Sequence, residues 1–80
     1  MTCRLIKIEN QHYVEMGNWE FPVLPSIEEI ICISDPLGYD FCYKVLHRIV
    51  TNTNSTTLIV EFISMGNEYL DSFLDDYLAG

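Results

Sequence analysis

Ile30-Ile31-Cys32-Ile33-Ser34-Asp35-Pro36-Leu37-Gly38-Tyr39-Asp40-Phe41-Cys42-Tyr43-Lys44-Val45 is the stretch whose reading decides the fold. Ile30 to Ser34 is short and β-branched, the composition of a strand. Asp35, Pro36 and Gly38 then stand at the first, second and fourth positions of a type I turn, where an Asp side chain closes the turn and Pro presets its φ. Phe41 to Val50 follows as the longest strand, with Phe41, Tyr43, Val45, His47 and Ile49 alternating on one face and Cys42 on the other. The expectation is an antiparallel hairpin.

Downstream, Thr51-Asn52-Thr53-Asn54-Ser55 is a polar loop. Thr56 to Ile63 returns as a strand, with Thr57, Ile59 and Ile63 on one side and Leu58, Val60 and Phe62 on the other. Upstream, Thr2 to Glu9 predicts a first strand and Asn10-Gln11 a turn. His12 to Phe21 predicts a second strand, interrupted near Gly17-Asn18 by a bulge or tight turn. Pro22-Val23-Leu24-Pro25 must leave a sheet interior, because proline cannot donate to a ladder. Ser26 with Glu28 and Glu29 suits a single capped turn. Several strands carry apolar residues on both faces, as a curling sheet requires. The fold class expected is mainly β with a C-terminal α-helix: a small, partly open, five-stranded antiparallel barrel over 1–63, with residues 64–80 as a helix of the same single domain. The expected core is Ile6, Ile8, Phe21, Ile31, Ile33, Tyr43, Val45, Ile59 and Phe62.

Leu24-Pro25, Glu28 or Glu29, Ile31-Cys32-Ile33, Gly38, Tyr43-Lys44-Val45, His47 and Leu58-Ile59-Val60 together resemble the small SH3-like barrels common in bacterial and phage genomes. The resemblance covers about residues 24–62, and it implies a fold rather than an activity. No functional residue is carried over from it.

The tail is read from its own residues. Ser64 to Gly80 holds Glu68, Asp71, Asp75 and Asp76, no basic residue, and six large apolar side chains. On a helix, Tyr69, Leu70, Phe73, Leu74, Tyr77 and Leu78 fill about half the circumference, and the acids fill the rest. Asp75 and Asp76 sit near the helix C-terminus, where each opposes the macrodipole at a cost of about 0.3–1 kcal/mol. A helix this short is marginal alone. Its apolar face therefore either packs on the barrel, the ordinary outcome, or is held by a partner.

Charge restricts the partner. Twelve acids oppose four basic residues, for a net charge of −8 in 80 residues, and the tail supplies half of that excess. Phosphate binders need basic stripes, so direct nucleic-acid binding is not expected. A basic protein surface, such as that of a nuclease or another nucleic-acid-binding protein, is the complementary partner. Ten aromatic residues, Trp19 with five Tyr and four Phe, are a surplus for so small a core. That surplus points to a partner surface or a homodimer.

Cys3, Cys32 and Cys42 are odd in number and lack CxxC spacing, so neither a disulfide framework nor a structural zinc is expected; three reduced, mostly buried thiols in a cytoplasmic protein are. No signal peptide and no membrane span are read. No cofactor, no metal site and no catalytic residue are expected. Cys42 and His47 fall on opposite strand faces, which denies them a nucleophile–base geometry. His47 is expected buried and hydrogen-bonded, and His12 solvated. Asp71 and Asp75 share a helix face but offer too few ligands for a dedicated cation site.

The leading reading is a non-enzymatic, acidic protein-interaction module. In size and charge it is similar to the phage and mobile-element inhibitors, including anti-CRISPR proteins, that block the basic substrate groove of a host defence enzyme. Glu68, Asp71, Asp75, Asp76, Phe73, Tyr69 and Tyr77 are the expected contact residues. The alternative is a structural or adaptor barrel that homodimerises within a larger assembly.

Overall fold

The computed structural model describes residues 1–79, with the side chains of residues 67–69 outside the described set. Its elements are β1 (Thr2–Glu9), β2 (His12–Glu20), β3 (Ile30–Ser34), β4 (Asp40–Val50), β5 (Thr56–Met65) and α1 (Gly66–Ala79). The five strands form one sheet in the order β2-β1-β5-β4-β3. The sheet is open, with β2 and β3 as its edges, and the molecule is mainly β with one C-terminal helix. The β1–β2, β3–β4 and β4–β5 pairs are antiparallel, whereas β1–β5 runs parallel. The long connection from β2 through β3 and β4 allows that return, which no hairpin could make.

Local chemistry accounts for the turns. Asn10 and Gln11 both take positive φ, 47° and 66°, as the two central residues of a type I′ hairpin must. Between β3 and β4, Asp35 Oδ1 accepts from the N–H groups of Leu37 and Tyr39, both at 2.9 Å. Gly38 N–H donates to Asp35 O at 3.0 Å, and its φ of 89° is one that side-chain-bearing residues rarely adopt. In β2 the interruption is a bulge: Leu5 pairs with Gly17 and Ile6 with Glu15, leaving Met16 as the extra residue.

The core lies on one face, beneath the arch that links β2 to β3. Cys3, Leu5, Ile31, Ile33, Tyr43, Val45, Leu58 and Val60 are buried there, with Met16, Trp19, Phe21, Leu24 and Phe41 packed against them. Ile31, Ile33, Tyr43 and Val45 are where the alternation pattern puts them. Ile6, Ile8, Ile59 and Phe62 are not: Ile8 and Phe62 are 42% and 48% exposed, and Ile6 and Ile59 are half-buried. The buried residues of β1 and β5 are instead Cys3, Leu5, Leu58 and Val60. The parallel register sets Leu5 beside Leu58 and Ile6 beside Ile59, so each strand offers two apolar rows and the arch covers only one. Phe62 differs: it lies in the covered row, against Tyr43 and Phe41, yet stays half exposed.

His47 is likewise corrected, from buried to exposed. Val45 pairs with Val60 and His47 with Ile59, so Leu46 is an extra residue that turns His47 out of the core face. The bulge also brings His47 to the face that carries Cys42. The two lie about 16 Å apart along the strand at roughly 3.3 Å per residue, still far too distant for a nucleophile pair. His12 is exposed, as its place beside a turn suggests.

Candidate docking helix and its charge environment

α1 leaves the sheet at Met65 and runs for 14 residues, about 21 Å at helical rise. Its start is fixed by a close backbone approach: a Cβ on Gly66 would lie 2.7 Å from Asp40 Cβ. From Leu70 onward its described side chains are exposed. Leu70, Phe73, Leu74, Tyr77 and Leu78 are 54%, 53%, 43%, 74% and 80% exposed. Of the two outcomes open to this apolar face, burial on the barrel or exposure for a partner, the described side chains from Leu70 onward show incomplete burial. The radius of gyration, 13.7 Å, exceeds the about 11.6 Å of a compact 80-residue domain, and the long axis reaches 45 Å.

The reason is positional. The open core face is already covered by Phe21, Leu24 and Trp19, and α1 begins at the far ends of β4 and β5 with no loop to swing it back. Phe73 and Tyr77, one turn apart, stack with ring centroids 6.3 Å apart and planes at 19°, which orders part of the ridge without burying it. Asp71 and Asp75 flank the ridge on one side and Asp76 on the other, all exposed. Of the residues singled out from the sequence, the structure thus brings Asp71, Phe73, Asp75, Asp76 and Tyr77 onto one exposed helix. Glu68 and Tyr69 lie outside the described side chains. Leu70, Leu74 and Leu78 complete the ridge, and their helical spacing from Phe73 and Tyr77 is the signal that places them in it.

Three of the four basic side chains stand beside acids, while Arg48 is exposed on β4 with no ion pair among the described residues. Arg4 is held by Glu15 through bonds of 2.6–3.1 Å, Lys7 ion-pairs with Glu9 at 3.1 Å, and Lys44 stands 3.9 Å from Glu28. Glu15 is held below the usual carboxylate range, first by its hydrogen bond from Arg4. Glu20 is held low as well, first by the Thr2 hydroxyl and then by the N-terminal ammonium. An open groove of about 520 Å³ beside the β4–β5 loop is lined by Thr2, Asn18, Thr51 and Ser55 with Arg4, but that guanidinium is already occupied by Glu15. Among the described residues, no three His, Cys, Asp or Glu side chains converge as metal ligands would, and no helix is long and apolar enough to cross a membrane.

No protein-family model, no curated protein and no solved structure matches the chain.

Proposed function

We propose that the protein is a non-enzymatic interaction module whose α1 ridge docks on a basic, nucleic-acid-handling protein. The observation that carries this reading is the exposure of Leu70, Phe73, Leu74 and Tyr77 on a helix with no basic side chain. Covering such side chains is worth about 1.5–3 kcal/mol each when complete, a gain the isolated fold leaves unused. Asp71, Asp75 and Asp76 around the ridge favour a partner with lysines or arginines beside an apolar cleft. Carboxylates are suited to the sites where such residues otherwise hold phosphate. A second copy of the chain is the poorer fit, because helix-to-helix pairing would bring two sets of carboxylates together in a chain of net charge −8.

The finer proposal is an inhibitor of the anti-CRISPR type, one that fills a nuclease or nucleic-acid groove and keeps substrate out. The SH3-like resemblance over residues 24–62 brings no contact residue, so this reading rests on α1 alone. The test is capture from a lysate of the source cells with wild-type protein and a Phe73→Ala/Leu74→Ala/Tyr77→Ala variant of unchanged fold. A basic protein retained by the wild type and lost from the variant is expected. Equal retention by both, or a stable homodimer in light scattering that the variant dissolves, would refute the docking of α1 on a basic partner.

A further inference from the structure

Cys32 and Cys42 sit directly opposite each other on β3 and β4. Asp35 N–H donates to Tyr39 O and Val45 N–H donates to Glu29 O, each at 2.9 Å, at the two ends of this ladder. Counting in steps of two from either end makes Cys32–Cys42 a pair without mutual backbone hydrogen bonds. Such pairs hold their Cα atoms about 4.5 Å apart with side chains on the same face. A disulfide needs about 4.4–6.8 Å between Cα atoms, so the backbone already has the required spacing. Exposure differs sharply across the pair: Cys32 is open to solvent and Cys42 is fully buried. Cys42 is also buried away from the core cluster, on the outer face of the sheet opposite Ser64, which lies two residues before α1 begins. Its thiol is pushed up to about 11, first by burial and then by the neighbouring Cys32 thiol. An accessible sulfur thus stands against a shielded one, the arrangement of an attacking and a resolving thiol.

We propose that Cys32 and Cys42 form a redox-active cross-strand pair that closes to a disulfide by exchange with low-molecular-weight disulfides, at the base of the docking helix. The Cys32 thiolate attacks one sulfur of the small disulfide, whose S–S bond breaks, and the first small thiolate leaves and takes up a proton. Cys42 then gives its proton to solvent and attacks Cys32 Sγ, expelling the second small thiolate. Two protein thiols are oxidised and one small disulfide is reduced to two thiols. In a reducing compartment such a bridge is transient and reports the state of the thiol pool.

The experiment treats the reduced full-length chain with bis(2-hydroxyethyl) disulfide, quenches with acid and alkylates the remaining thiols. Wild type is expected to fall from three alkylatable cysteines to one, as a monomer two hydrogens lighter. Cleavage at Asp35 and Asp40, between the two cysteines, should give peptides that separate only on reduction. Cys3→Ser should behave as wild type. Cys42→Ser should stop at a mixed disulfide on Cys32, and Cys32→Ser, at an exposed site, should keep its fold and leave Cys42 unreacted. A stable mixed disulfide on Cys32 in the wild type, a disulfide-linked dimer, a bridge that includes Cys3, or three thiols still free would each overturn the proposal.

Discussion

Replacing Leu58 with Ala should remove much of the protein's stability, while replacing Phe73 with Ala should remove almost none. Leu58 is 0% exposed and lies in the central strand of the sheet, with β1 on one side and β4 on the other. Truncation deletes three carbon atoms, worth about 2.4 kcal/mol at about 0.8 kcal/mol each. The cavity left behind raises the total to about 3–4 kcal/mol. A chain of 80 residues has about 4–12 kcal/mol in all. At about 4–8 °C per kcal/mol, Tm should fall by roughly 12–30 °C. Phe73 is 53% exposed and its one described ring partner is Tyr77, a helix neighbour worth about 0.2–0.5 kcal/mol. Thermal and urea unfolding of both variants, followed by far-UV circular dichroism, measures the contrast. If Phe73→Ala costs as much as Leu58→Ala, α1 covers the core and the account of an unpartnered ridge is wrong. If Leu58→Ala costs under about 1 kcal/mol, the register of β5 is wrong.

Gln11→Gly should stabilise the protein by up to about 1 kcal/mol in urea unfolding, since a φ of 66° in the type I′ turn suits Gly better than Gln. Gly66→Ala should cost about 1–3 kcal/mol or shift α1, because the new Cβ meets Asp40 Cβ at 2.7 Å; unfolding together with amide exchange along the helix would detect either effect. NMR titration should place the Glu15 and Glu20 carboxyls below the usual carboxylate midpoint. Because these folded-state values are depressed, their contribution to stability is present above the unfolded value of about 4.3 and is lost as pH falls through the folded one.

The hairpin of β3 and β4 was legible because turn chemistry and alternation agree there: Asp35, Pro36 and Gly38 name the turn, and Ile31 and Ile33 face Tyr43 and Phe41 across it. That same symmetry about the turn pairs Cys32 with Cys42, a relation that a search for CxxC spacing does not reveal. On β1 and β5 the sequence was ambiguous, because Leu5-Ile6 and Leu58-Ile59-Val60 present apolar residues to both faces. Long-range packing under the arch chooses between those faces, and periodicity carries no record of it. The bulge at Leu46 has no Gly or Pro to announce it, so strict alternation along β4 places His47 on the wrong face. The α1 ridge was readable from helical spacing, but its exposure follows from the short β5–α1 junction and from a core already covered by Trp19, Phe21 and Leu24.

In the proposed function, the acids of α1 steer the ridge onto a basic partner. Its most direct test is the association rate of the captured partner with wild type and with the Glu68→Gln/Asp71→Asn/Asp75→Asn/Asp76→Asn variant, measured across a salt series. Slower association and a shallower dependence on salt are expected for the variant, since long-range attraction to the carboxylates is the component that salt screens. Equal rates and equal salt slopes for the two proteins would contradict it and move the binding surface from the helix to the sheet.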